Sequence, residues 1–192
     1  TFLVDLKLEQ ALKSQSISKI FVLVPPNLRV EVPRSRFARD ERVTWVERSA
    51  SSSEPNSDLR AALIDSLGES LLRSFDLLCI LNVEAPFLRA CYIDSAISYL
   101  QLYKDADSVV SVILDRGIFM RHEGGGLVNI DPDKSLRLER NQLYRKTGGL
   151  NVVWVEYFLE SDGVFGGVVG HVIVDQLSAF QIENTLDFQI AS

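Results

Sequence analysis

Histidine and cysteine are scarce in this 192-residue chain, with two of each, and one methionine and two tryptophans leave the interior to aliphatic residues. Two cysteines are too few for a disulfide framework. Cys79 and Cys91 both stand in apolar surroundings, so they read as buried thiols of a reducing compartment. His122 and His171 are far apart, and neither has a partner at metal-ligand spacing, so both read as structural or solvent-facing. Ser111 and Ser178 sit in no nucleophile-elbow pattern, which leaves a hydrolase triad without support. Basic charge is short as well: 20 Lys and Arg against 26 Asp and Glu give a net charge of −6. With no basic stripe to neutralise phosphates, a general nucleic-acid binder is excluded. No apolar run reaches the ~18 residues of a membrane span and no signal peptide opens the chain. The expectation is a soluble, cytoplasmic protein.

What is present describes one α/β domain. Hydrophobic residues make up 46% and charged ones 24%, the balance of an ordinary globular chain long enough to bury a sizeable core. The run Phe75 to Leu81 is apolar apart from Asp76, without alternation, and stops at Asn82, Glu84 and Pro86. Such a run fits a strand covered on both faces, as in a parallel sheet flanked by helices. Pro86 cannot donate to a ladder, so the strand ends before it. Glu84 then stands just past the carboxyl end of a central strand, where open α/β sheets place their ligands.

The remaining segments alternate around that strand. Leu3 to Ser14 has apolar residues at helical spacing. Ile17 to Val24 is a buried-type strand stopped by Pro25-Pro26, and Val43 to Glu47 a short one. Residues 48–57 form a Ser-rich loop, Asp58 to Ser74 an amphipathic helix, Ala90 to Tyr103 another helix, and Asp107 to Leu114 an apolar strand. That order is the signature of βαβ crossovers and a three-layer, mostly parallel sheet. An excursion at 115–145 follows, with a hairpin of Ile118–Arg121 and Leu127–Ile130 and a turn at Asp131-Pro132-Asp133. Leu150 to Val155 is a further strand, Glu156 to Ser161 a short helix, Val168 to Val174 a last strand, and Glu183 to Ala191 a closing helix.

Two clusters carry chemistry. Glu84 and Glu183 both follow apolar segments, and on neighbouring strand ends they could share a hard cation such as Mg²⁺, which takes one or two carboxylates plus substrate phosphates. The plainer alternative is two solvated acids, one capping the last helix. Arg140-Asn141-Gln142-Leu143-Tyr144-Arg145-Lys146 ahead of Thr147-Gly148-Gly149 offers a bidentate fork and directed hydrogen bonds for a carboxylate or phosphate. Its alternative is an exposed, charged connection. Arg89, near the helix start after the main strand, is a weaker anion-binding candidate.

Asn82-Val83-Glu84-Ala85-Pro86-Phe87-Leu88-Arg89 resembles the central motif of the cytidylyltransferases that make CMP-sialic acid and CMP-KDO. Asp105 to Val112 is similar to that family's next strand. Arg140-Asn141-Gln142 with Tyr144 and Thr147-Gly148-Gly149 resembles its acidic-sugar series. Phe180-Gln181-Ile182-Glu183-Asn184-Thr185-Leu186-Asp187 resembles its closing metal-binding motif. The likeness covers nearly the whole chain. It implies a nucleotide-diphospho-sugar transferase-like fold and transfer of CMP from CTP to an acidic sugar with release of pyrophosphate. It further implies Mg²⁺ at Glu84 and Glu183, with Gln181 beside them, and a sugar held by Arg140, Gln142 and Tyr144 with Asn82 and Arg89 nearby. A homodimer through the 115–145 excursion is also implied.

The departures are specific. The family opens with a strand and a Gly-Ser-Lys loop that cradles the CTP phosphates, and this sequence holds no counterpart from Thr1 onward. The family's Ser-Thr-Asp after the second strand is Val24-Pro25-Pro26, its Arg-Pro pair is Arg48-Ser49, and the first acid of the closing motif is Gln181. They motivate two alternatives: a catalytically inactive family member that serves as a binding or dimerisation module, and a transferase for another sugar or nucleotide.

Overall fold

Leu8, Ala11, Leu63, Leu72, Ile93, Leu100, Val109 and Val152 are all buried, and they come from helices and strands in turn, so the elements close on one another in layers. The computed structural model describes residues 3–49, 58–115, 117–130 and 143–191. Helix α1 (Leu3–Lys13) leads to strand β1 (Ile20–Val24), a 3₁₀ segment (Pro26–Arg34) and strand β2 (Val43–Glu47). Pro26 suits the start of that segment, because the N–H it lacks would be unsatisfied there. Helix α2 (Leu59–Leu67) is capped by Asp58, whose carboxylate accepts from the Arg60 and Ala61 amides at 3.2 and 3.1 Å. The single helix expected to Ser74 breaks at Gly68, where φ is 76°, and resumes as α3 (Glu69–Leu72).

Next come β3 (Leu77–Leu81), α4 (Ala90–Leu102) and β4 (Ser108–Asp115), then the hairpin β5 (Met120–His122) and β6 (Leu127–Asn129). Strand β7 (Leu143–Trp154), α5 (Val155–Glu160), β8 (Val169–Ile173) and α6 (Thr185–Ala191) complete the chain. The α/β class holds, and the sheet is mixed. Strands β3, β7, β4 and β8 stand in that order, with β7 antiparallel to both its neighbours and β4 parallel to β8. After the excursion the chain thus returns beside β4 in the opposite direction. β1 and β2 form a separate parallel pair, Ile20 opposite Val43 through Val24 opposite Glu47.

Strand β7 starts at Leu143, seven residues ahead of the expected Leu150. The segment read as a charged connection is therefore ladder: Tyr144, Arg145 and Lys146 pair with Leu114, Ile113 and Val112. Their side chains are exposed, while Thr147 is buried and shares a 2.7 Å hydrogen bond with the hydroxyl of Ser111. Cys91 also departs from expectation. It is exposed on α4, whereas Cys79 is partly buried on β3, where burial pushes its thiol up to about 12.

Two apolar clusters fill the layers. Leu88, Ile93, Ile97, Leu100, Val109, Leu150 and Val152 join α4 to one face of the four-stranded sheet. Leu63, Leu72, Ile80, Val153, Val155 and Phe158 join α2, α3 and α5 to the other. Arg60 fastens the second by donating to the Phe158 and Leu159 carbonyls at 3.1 and 2.9 Å. Between β1 and β3 lies an open cavity of about 1050 Å³, which reaches Asn82, Val83 and Glu84 at one end.

Candidate functional site

The turn after β3 organises one rim of the sheet. Asn82 Nδ2 donates to the Gly148 carbonyl at 2.7 Å, which ties the turn to β7. The Glu84 carbonyl accepts from the Ile182 amide at 2.8 Å, which draws in the closing segment. Buried Lys7 on α1 donates to the Ala85 carbonyl. Gly149 lies against Ala85, and a Cβ there would meet the Ala85 Cβ at 3.0 Å. Farther along, the Ser178 hydroxyl donates to the Phe87 carbonyl at 3.2 Å, and the Phe87 and Phe180 rings lie 6.0 Å apart. Residues some hundred positions apart in the chain thus share one rim.

Glu84 and Glu183 are both exposed there, flanking the bonded Glu84–Ile182 pair. Neither carboxylate has a hydrogen-bond or ion-pair partner among the described residues. The α6 cap, an alternative role for Glu183, belongs to others: Asp187 accepts from the Glu183 and Asn184 amides at 2.9 and 3.2 Å, and Asn184 Oδ1 accepts from Leu186 and Asp187. Gln181 is half-buried with its amide over Gly148, where a Cβ would stand 2.6 Å from Nε2. Gly148 has φ +66°, so glycine is required twice over, by backbone and by space. Two free carboxylates on one rim suit Mg²⁺, which completes its shell with water and substrate oxygens. Among the described residues no group of three His, Cys, Asp or Glu side chains stands close enough to bind a metal by itself.

The other expected site residues are described only in part. Arg140 and Gln142 lie outside the described residues, as do Asn141 and the turn at Asp131-Pro132-Asp133. Tyr144 is on β7, its ring 4.8 Å from that of His171, so His171 has an aromatic partner that its sequence position did not announce. Arg89 is already committed. Its guanidinium contacts Asp175 at 2.5 Å and the Tyr92 hydroxyl at 2.9 Å, and these bonds, Tyr92 first, raise its pKa. Asp175 is the hub of that arrangement. It accepts from the Ser178 amide at 2.9 Å, from Tyr92, from the Ser178 hydroxyl and from Arg89, which together hold its carboxyl well below the usual range.

No family model and no curated protein sequence matches this chain. Solved structures do. One is 4-diphosphocytidyl-2C-methyl-D-erythritol synthase from Anaerococcus prevotii, with a TM-score of 0.68 and 12% identity, covering 98% of this chain and 83% of that one. Another is 2-C-methyl-D-erythritol 4-phosphate cytidylyltransferase from Thermus thermophilus, with a TM-score of 0.58 and 15% identity, covering 98% of this chain and 86% of that one. The fold is cytidylyltransferase-like. Within it, the missing signal for the rim was Lys7, which reads in sequence as one polar position of an amphipathic helix and is 4% exposed in the structure. Nor did the sequence single out Asp175, which pairs with the guanidinium of Arg89. Among the described residues no helix is long and apolar enough to cross a membrane.

Proposed function

We propose that the chain is a divergent cytidylyltransferase domain that transfers CMP from CTP to an acidic sugar of the sialic acid or KDO type, with release of pyrophosphate. The observation that carries the reading is the rim itself. A hydrogen bond from Ile182 to Glu84 brings two carboxylates, partnerless among the described residues, from opposite parts of the chain to one edge of a cytidylyltransferase-like fold. The likeness of residues 82–89 and 180–187 to the CMP-sialic acid and CMP-KDO enzymes supports the sugar class. Bound at Glu84 and Glu183, Mg²⁺ would spread the charge that develops on the phosphates. Asn82 and Gln181 then set the turn and the rim around the ligand, and Arg140, Gln142 and Tyr144 are assigned to the sugar acid. Positioning and electrostatics supply most of the rate in such a displacement.

A homodimer is part of the proposal. The excursion exposes Ile118, Met120, Leu127, Val128 and Ile130, an apolar surface that a second copy would cover. Gln181 favours a second reading, a catalytically inactive binding module, since a neutral amide stands where the resembling motif has an acid. The test is pyrophosphate release from CTP, Mg²⁺ and a panel of acidic sugars by the full-length protein. Turnover that falls on the order of 10²-fold in Glu84→Gln and in Glu183→Gln supports the assignment. No turnover, with no CTP-dependent rise in melting temperature, returns the chain to the binding reading.

A further inference from the structure

Helix α1 buries two charged side chains, Asp5 and Lys7. Asp5 is matched as buried charges usually are. Its carboxylate accepts from the Ser35 hydroxyl at 2.5 Å and from the Arg36 amide at 3.4 Å, with the Arg36 guanidinium 3.8 Å away. Lys7 is not matched in this way. Its ammonium donates to one neutral acceptor, the Ala85 carbonyl, and no carboxylate stands in ion-pair reach among the described residues. Burial accordingly lowers its pKa from 10.5 to about 8. For packing alone an apolar side chain would serve better at this position, so the charge stands here at a cost in stability. Departures of this kind from local rules concentrate at functional sites. The residue that Lys7 holds is the immediate neighbour of Glu84.

The consecutive carbonyls of Glu84 and Ala85 are gripped from two distant parts of the chain, by the Ile182 amide at 2.8 Å and by Lys7. Around them the turn divides sharply by exposure. Ala85, Pro86 and Leu88 are buried, whereas Val83 and Glu84 are exposed. An exposed carboxylate on a turn takes its starting direction from the peptide planes beside it, so the bonds that hold those planes set where it projects. Metal-binding groups need such support from a second layer of hydrogen bonds. Without Lys7, the Ala85 carbonyl keeps only the Leu88 amide at 3.4 Å among the described residues, too long to fix a plane. Asp5, bonded to Ser35 and Arg36, ties the start of α1 and so gives Lys7 a fixed mount.

We propose that Lys7 is a positioning residue for Glu84: by holding the Ala85 carbonyl from α1, it fixes the backbone from which the Glu84 carboxylate projects at the rim. This role rests on the reading of that rim as a Mg²⁺ site. The test uses the 192-residue chain and Mg²⁺ alone, with Lys7→Met, Glu84→Gln and, as a control for α1 packing, Leu8→Ala. Mg²⁺ affinity is read by NMR titration and stability by urea unfolding. Exchange of the Ile182 amide is compared with that of the Val155 amide, which bonds the Asp76 carbonyl at the other end of β3. Lys7→Met should be at least as stable as the parent and yet bind Mg²⁺ about tenfold more weakly. It should also speed Ile182 exchange about tenfold relative to Val155. Leu8→Ala should lose stability and keep the parent's Mg²⁺ affinity. Lys7→Leu repeats each reading with a second apolar side chain. Mg²⁺ binding that Glu84→Gln weakens and Lys7→Met leaves unchanged overturns the proposal alone, as does Ile182 exchange that moves no more than that of Val155. Equal weakening by Leu8→Ala overturns it too, since helix packing would then account for the effect. Mg²⁺ binding that is absent from the parent, or indifferent to Glu84→Gln, overturns the metal reading of the rim and this role with it.

Discussion

Lys7 offers a quantitative test of the α1 packing. The side chain is 4% exposed, and its ammonium donates to a neutral acceptor, the Ala85 carbonyl, with no carboxylate in ion-pair reach among the described residues. Burial lowers its pKa from 10.5 to about 8. The unfolded chain therefore binds the proton more tightly, and stability rises with pH between the folded and unfolded values. The full difference corresponds to roughly 3 kcal/mol, of which about 1 kcal/mol is recovered between pH 7 and 9. Cys79 acts oppositely above that window. Its thiol is held protonated to about 12 in the fold, so stability falls as the unfolded thiol ionises. A Cys79→Ala background removes this second slope.

In that background, Lys7→Met keeps the stem and loses both the charge and the hydrogen bond. With about 1 kcal/mol lost for the bond, the variant should be roughly 2 kcal/mol more stable at pH 7 and about 1 kcal/mol more stable at pH 9. Urea denaturation at fixed ionic strength, with unchanged m-values, reads both numbers. A variant equally destabilised at the two pH values would mean that Lys7 carries a counter-charge in the fold, and the reasoning would be wrong.

Three other perturbations follow from the geometry. Gly148→Ala forces a left-handed residue to carry a Cβ into the Gln181 amide, and a loss of about 1–3 kcal/mol in thermal or urea unfolding is expected. Ser111→Ala removes the bond between the two buried hydroxyls while Thr147 keeps its 3.2 Å bond to the Ser111 carbonyl, and should cost about 1 kcal/mol; adding Thr147→Val should cost less than the sum of the single changes, and additivity would refute the coupling. Asp175 has a depressed pKa in the fold, so its contribution is present above about pH 4 and lost as pH falls through the folded value. The stability gap between Asp175→Asn and the parent should be widest near neutrality and narrow in acid; a constant gap from pH 2 to 7 would contradict it.

Apolar runs made β1, β2, β3, β4 and β8 legible, because strands of that composition leave few other folds for the chain. The start of β7 was hidden for a physical reason. Leu143 to Lys146 pair with the far end of β4 and their side chains are exposed to water, so polar residues are tolerated. Its direction was also hidden, since pattern reports burial and not polarity of the chain. At the rim, Asn82 is bonded to Gly148 and the Glu84 carbonyl to the Ile182 amide, so residues 82–84 and 181–183 share one edge of the sheet. The pairing of Arg89 with Asp175 was hidden, because its partner lies 86 positions away. Long-range partners of this kind leave no local trace.

The open cavity between β1 and β3 bears on cooperativity. Among the described residues the β1–β2 pair shares no ladder with the four-stranded sheet, so its opening need not break that sheet. Each sheet carries one of the two tryptophans, Trp45 on β2 and Trp154 on β7. Trp154 is anchored by a 3.1 Å hydrogen bond to the Ala106 carbonyl and lies beside Lys104. Fluorescence from single-tryptophan variants would therefore follow the two sheets separately, with the Trp45 transition leading the Trp154 transition.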